Sequence, residues 1–303
     1  MDSSSAFALK TMPIVSKSSS ASGSSLHRHK ALPVTIIEPK QSWMGLGLGE
    51  LWRSRELLFF LCWRDVKIRY KQTFLGVVWA ILQPALLMVV FSLFFGRLSH
   101  SEASPVPFPL FICAGILPWT FFATALSNAA NSVISSERMI SKIYFPRLLL
   151  PLSSVGAALV DFLIAIVLLG GMLLWYGVMP ATSIVLVPLL ILLIGITASG
   201  MGIFLAALNV NYRDFRYIIP FLIQIGLFAT PTIYLAPDLL GNKMQHLLWL
   251  NPMAAIIASF RAAIFGTEIP WLQLGGATLL SCVVLVLSMI YFRRVEGTFA
   301  DHI

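Results

Sequence analysis

Residues 162–212 read FLIAIVLLGGMLLWYGVMPATSIVLVPLLILLIGITASGMGIFLAALNVNY, 51 positions without one Asp, Glu, Lys or Arg. A helix needs about 20 apolar residues to cross the hydrocarbon core of a bilayer, so this run is too long for a single crossing. It breaks at Tyr176-Gly177-Val178-Met179-Pro180, a turn signal. The stretch therefore predicts two antiparallel helices, 152–175 and 183–207. Four further charge-free stretches, 72–96, 103–136, 217–237 and 269–292, flank it. They supply crossings at 73–95, 110–132, 218–235 and 272–292. The expectation is an all-α membrane protein with six transmembrane helices. The alternating segments of about 10 residues that build a membrane barrel are absent.

Composition agrees. The chain has 303 residues, 58% apolar and 11% charged, whereas soluble domains carry roughly 45–50% and about 25%. A disordered chain, a coiled coil and an ordinary cytosolic enzyme are excluded. Cys62, Cys113 and Cys282 are odd in number and lack CxxC spacing, so neither a disulfide scaffold nor a zinc site is indicated. The net charge of +8 fits either nucleic acid or anionic lipid, and only the position of the charges decides. Six crossings leave 1–72, 137–147, 209–217 and 293–303 on one side, with 18 Lys and Arg; the other side holds 3. Basic residues stay on the cytoplasmic side, so both termini are expected there and no nucleic-acid partner is implied.

The chain divides into a polar tail over 1–50, an amphipathic interface helix over 51–72 and the six-helix domain over 73–303. Ten of the first 25 residues are Ser, with no apolar run of signal-peptide length. Such a start also occurs in organelle transit peptides, but a disordered polar tail is the simpler reading. The outer connection 236–271 is too apolar for a solvated loop. Asn251-Pro252 starts a helix, because Asn caps and Pro fits the first turn; Gly266 stops it. A helix over 252–265 spans about 21 Å. It is too short to cross and is read as re-entrant, between helices 5 and 6, ahead of one lying on the surface.

Chemistry is concentrated at few places. In 51–72, Trp63, Val66, Tyr70 and Phe74 share one helical face, and Arg64, Lys67 and Lys71 lie beside it. Asp65 and Arg69 are spaced to pair at i,i+4. This pattern suits the headgroup layer, either as a plain anchor or as a site meeting a phosphate-bearing lipid. The inner loop ERMISKIYFPR, 137–147, keeps Ile140, Ile143, Tyr144 and Phe145 among its charges, as a docking segment would; Pro146 limits it to a turn or two of helix. Asp161 lies mid-helix in the third crossing. Either it is a functional carboxylate or it bonds structurally to a neighbouring helix, with no Lys, Arg or His at matching depth. Trp52, Trp63, Trp119, Trp175, Trp249 and Trp271 read as a membrane belt. Trp79, Phe91, Phe228 and Tyr234 either pack or line a path for sugar rings. Gln83-Pro84 is expected to kink the first crossing. No GxxxxGK[ST] phosphate loop, HExxH, GxSxG or paired-carboxylate motif appears.

The stretch RDVKIRYKQTFLGVVWAILQPALLMVVFSLFFG (64–96) resembles the start of the membrane subunit of polysaccharide-exporting ABC transporters, the ABC-type-2 permeases of O-antigen, capsule and teichoic acid. The resemblance continues in KIYFPRLLLPLS (142–153), LNVNYRDFRYIIPFLIQIGLFATPTIY (208–234), LNPMAAIIASFRAAIFG (250–266) and FRRVEGTFADHI (292–303). Only 1–50 fall outside it. It implies a homodimeric transport subunit, not an enzyme, in the bacterial inner membrane. Two copies of a separate ATPase would bind ATP and Mg, leaving this chain without a cofactor. It implies that 137–147, with Glu137, Arg138, Lys142, Tyr144 and Phe145, couples to the ATPase. It makes 51–72 the gate helix where lipid-linked substrate enters, with Arg64, Lys67, Arg69 and Lys71 near the diphosphate of an undecaprenyl diphosphate-linked polysaccharide, O-antigen above all. It implies short outer gate helices in 236–271 and a channel lined with aromatic residues. Two alternatives stay open. One is a drug or small-lipid exporter of the same superfamily. The other is a membrane-embedded enzyme acting on lipid carriers through Asp161.

Overall fold

The computed structural model describes residues 48–71, 76–96, 106–143, 145–212, 214–232, 251–297 and 299. The chain divides into Met1–Gln41, outside the described residues, and Ser42–Ile303, which holds all of them. Among the described residues every regular element is helical. In order these are α1 (Leu48–Arg53), α2 (Arg55–Lys71), α3 (Val77–Phe95), α4 (Phe108–Ser135), α5 (Glu137–Ile140) and α6 (Leu149–Trp175). A 3-10 turn (Thr182–Leu186) leads into α7 (Val187–Asn211), followed by α8 (Phe215–Ala229), α9 (Pro252–Phe265) and α10 (Trp271–Glu296).

Among the described residues five helices are long and apolar enough to cross a membrane: α3, α4, α6, α7 with its 3-10 lead, and α10. The chain is an all-α, multi-pass membrane protein. The break expected at 176–180 is there: α6 ends at Trp175 and Gly177 takes φ +65°, a left-handed turn that suits glycine. The crossing expected over 218–235 differs. It appears as α8, 15 residues long or about 22 Å, short of a hydrocarbon core about 30 Å thick. Thr230 is extended, with φ −102° and ψ 136°, because Pro231 disfavours the helical conformation before it. Pro84 sits inside α3, which runs unbroken from Val77 to Phe95.

The centre of the bundle is α4. Of its most apolar window 72% is buried, against 6% for α3, which leaves α3 at the periphery. Lipid offers no hydrophobic drive between helices, so small residues and polar contacts set the packing. A Cβ on Gly202 of α7 would come within 2.6 Å of the Ala129 Cβ on α4, and one on Gly200 within 2.9 Å of the Leu285 nitrogen on α10. Thr197 and Ser281 share a hydrogen bond of 2.8 Å between α7 and α10. Asn209 Nδ2 donates to the Ala130 carbonyl at 3.0 Å and to Asn131 Oδ1 at 3.1 Å, tying α7 to α4.

Helix α9 has the bounds its caps predict. Asn251 Oδ1 accepts from the Met253 amide at 3.1 Å, and Gly266 ends the helix at φ 75°. It is inserted into the protein: Ile256, Ile257, Phe260 and Ala263 are fully enclosed in the main core. The α6–α7 turn meets its C-terminal end, where Ala181 N donates to the Ile264 carbonyl and Ser183 Oγ to the Ala263 carbonyl, both at 3.0 Å. At the opposite end of the bundle, Arg147 donates to Glu296 through its amide at 3.2 Å and its Nη1 at 2.6 Å.

Candidate functional site

Helix α2 carries the basic residues singled out above, and its course is set by α6. Leu61 is enclosed with Leu149 and Leu150. A Cβ on Gly156 of α6 would lie 3.0 Å from Cys62 Sγ. Ser153 Oγ donates to Asp65 Oδ2 at 3.4 Å. Further along, Arg69 forms an ion pair with Asp161 Oδ2, and the Tyr70 hydroxyl donates to Asp161 Oδ1. Positions rise together on both helices, so α2 and α6 run in the same direction. The contacts recur every three or four residues, one stripe of a helix.

This seam corrects two expectations. Asp161 has a cationic partner: twelve residues into α6, about 18 Å along its axis, it is met by Arg69 because α2 leans along α6. Asp65 does not wait for Arg69 but takes Arg64, whose Nε and Nη2 donate to Oδ1 at 3.0 and 2.8 Å. A charge inside a membrane is expensive unless paired, and Asp161 has both an ion pair and a phenol donor. Burial pushes the Tyr70 phenol above its usual range, with the Arg69 charge pulling the other way. Tyr70 thus keeps its proton, and remains a donor, at neutral pH.

Two cavities open beside this pair. The first, of about 620 Å³, is lined by Arg69, Tyr70, Trp79, Gln83, Thr124 and Asp161 among others. The second, of about 550 Å³, is lined by Arg64, Arg69, Asn131, Ser135 and Arg138 among others. Both include Arg69 and Asn128. Asn128 Nδ2 is buried and has no hydrogen-bond partner. Asp161 is the only carboxylate around the first cavity among the described residues, so an enzyme reading finds no second acid converging with it. Among those residues no three His, Cys, Asp or Glu are grouped to hold a metal ion.

The remaining predicted site residues are distributed as follows. Lys67 and Lys71 are exposed on α2. Glu137, Arg138 and Lys142 are exposed in and after α5, as is Ile143. Arg64 Nη1 donates to Met139 Sδ at 3.4 Å, joining α2 to this inner segment. Phe145 is buried with Leu61, Leu149 and Leu150; it fixes the segment from inside. Tyr144 and Tyr234 lie outside the described residues. Trp79 lines the first cavity. Phe91 lies against Phe95, ring centroids 6.0 Å apart, and Phe228 is exposed on α8. Of the belt, Trp52, Trp63, Trp175 and Trp271 are exposed, whereas Trp119 is only 6% exposed. Trp119 packs on Phe122 and fills the space above Gly226 of α8. Trp249 lies outside the described residues.

Sequence reasoning counted Arg261 only as one of few outer basic residues. It is in fact buried in α9 and fully engaged. Nε donates to the Phe111 carbonyl at 3.2 Å, Nη1 to Pro231 at 2.9 Å and Nη2 to Thr232, while the guanidinium lies 3.8 Å from the centre of the Phe111 ring. Gly115 is required beside it: a Cβ there would lie 2.1 Å from Nη2. The available signal was an Arg in the middle of an otherwise apolar 14-residue helix.

Fold and site together define a multi-pass helical membrane protein with a basic helix pinned to α6 and an exposed charged turn between α4 and α6. The chain belongs to the ABC-2 type transporter family, whose model matches residues 56–265. It is 31% identical over 256 residues to the O-antigen export system permease protein RfbA of Myxococcus xanthus, covering 84% of this chain and 98% of that one. It is 27% identical over 260 residues to the RfbA of Klebsiella pneumoniae, covering 85% and 98%. The polysialic acid transport protein KpsM of Escherichia coli is 21% identical over 239 residues, covering 77% and 91%.

Proposed function

We propose that this chain is the transmembrane subunit of an ATP-driven exporter that moves a lipid-linked polysaccharide, O-antigen above all, across the inner membrane. Two copies would form the path, with both termini cytoplasmic, and two copies of a separate ATPase would bind ATP and Mg. The names of the relatives support the polysaccharide. The mechanical reading rests on the position of α2. One basic helix touches the cavity wall through Arg69 and the exposed inner segment through Arg64 and Met139. An undecaprenyl diphosphate headgroup arriving at Arg64, Lys67, Arg69 and Lys71 is thus one helix away from the turn on which an ATPase pushes. The polymer would then thread outward past aromatic residues such as Trp79, and α9 would serve as an outer gate.

The test is complementation of a strain lacking the chain, read as surface polysaccharide. Reversing Lys67 and Lys71 to Glu is expected to abolish it; normal surface polysaccharide removes the lipid-gate role. Reversing Glu137 and Lys142 is expected to weaken copurification of the ATPase, and unchanged copurification with intact export removes the coupling role. An apolar cavity of about 400 Å³ beside Trp119, Met201 and Phe204 favours a second reading, export of a drug or small lipid. Wild-type polysaccharide display in a strain lacking the chain would shift the assignment to that reading.

A further inference from the structure

Arg69 faces two cavities, yet its charge is already committed. The guanidinium side chain is 33% exposed and the Asp161 carboxylate 19%. The pair lies at a cavity wall and is not sealed in the core. Beside it, Asn128 Nδ2 is a buried donor without an acceptor, placed where the two cavities meet. Arg64 and Arg138 line the second cavity. The vacant donor and the three guanidinium groups match the acceptor-rich, doubly charged oxygens of a diphosphate, for which arginine offers paired donors.

We infer that Asp161 is a placeholder anion: a diphosphate entering between the cavities takes Arg69 from Asp161, satisfies Asn128 Nδ2, and so loosens the end of α2 on α6, where Tyr70 remains its tie to Asp161. This rests on the proposed reading that a diphosphate-bearing lipid reaches α2. In the empty protein, Asp161 pairs with Arg69 and helps to pin α2 to α6. In the loaded protein the carboxylate keeps its Tyr70 donor. Because Arg64 bonds Met139, a shift of α2 is felt at the inner segment. The pin thereby reports whether substrate is present.

The test uses the full chain with its ATPase, reconstituted in phosphatidylethanolamine vesicles. One arm titrates undecaprenyl diphosphate and the other inorganic diphosphate. Removing the competitor with Asp161→Asn is expected to tighten binding about tenfold, the scale of a partly buried ion pair. Arg69→Ala is expected to weaken binding, and the double variant to match Arg69→Ala. Equal fold-changes in both arms assign recognition to the diphosphate itself, and changes confined to the lipid arm assign it to the lipid headgroup; either upholds the inference. A second measurement needs no change at the pair. With Cys113 and Cys282 replaced by Ala, saturating ligand is expected to speed alkylation of Cys62, which lies against Gly156 on the α2–α6 seam. Unchanged or weaker binding in Asp161→Asn, or a Cys62 rate that ignores ligand, overturns the placeholder. If the wild type binds undecaprenyl diphosphate and exports polysaccharide, the proposed function survives that failure. If it does neither, the proposed function is what fails.

Discussion

Two arginines in this bundle are held by different means. Arg261 is held by three backbone carbonyls from two other segments and stacked on Phe111, with no carboxylate touching it among the described residues. Arg69 pairs with a carboxylate at the wall of a cavity. Carbonyls of a folded backbone have nowhere else to go, so the first arrangement is permanent. A carboxylate is one anion that another can replace, so the second is exchangeable. The knot around α9 is thereby rigid, and the Arg69–Asp161 contact on the α2–α6 seam is the exchangeable one.

That contrast is easiest to break at the rigid site. Arg261→Ala takes a donor from three carbonyls and leaves a void beside Phe111, and is expected to cost about 4 kcal/mol, read as a large drop in detergent melting temperature. Gly115→Ala places a methyl 2.1 Å from Arg261 Nη2 and 2.4 Å from the Thr232 oxygen; displacing the guanidinium is expected to cost about 3 kcal/mol in the same assay. Arg69→Ala strands Asp161 with Tyr70 alone. Its partial exposure lets water repay part of the loss, so about 1–2 kcal/mol is expected. A melting shift as large as that of Arg261→Ala would erase the distinction. Smallest is Asn251→Ala. It removes the cap on Met253 and the 2.8 Å bond to Thr230 Oγ1, and about 1 kcal/mol is expected.

The two sites were unequally legible in the sequence. Helix α9 was readable to the residue, because Asn251-Pro252 and Gly266 act locally through capping and a left-handed turn. The 176–180 break was equally plain. The early end of α8 is marked only by Thr230-Pro231, one proline inside a stretch whose apolar content reads as a full crossing. The partners of Asp161 were hidden for a different reason. Within α2, Asp65 and Arg69 satisfy the local i,i+4 rule, and only the alignment of α2 along α6 shows that Arg69 goes elsewhere. Trp119 likewise depended on Gly226, 107 positions away, leaving room for an indole. Arg261 was visible as an oddity, but its three acceptors lie 29 to 150 positions earlier in the chain.

That order along the chain bears on how the protein is made. Helix α9 is too short to be handed to the bilayer as a span, and an arginine at the centre of a translocating helix is penalised by roughly 2.5–3.5 kcal/mol. Every acceptor that makes Arg261 tolerable, at Phe111, Pro231 and Thr232, is synthesised before it. Insertion of α9 is therefore a tertiary event, completed by docking onto α4 and the end of α8 already in place.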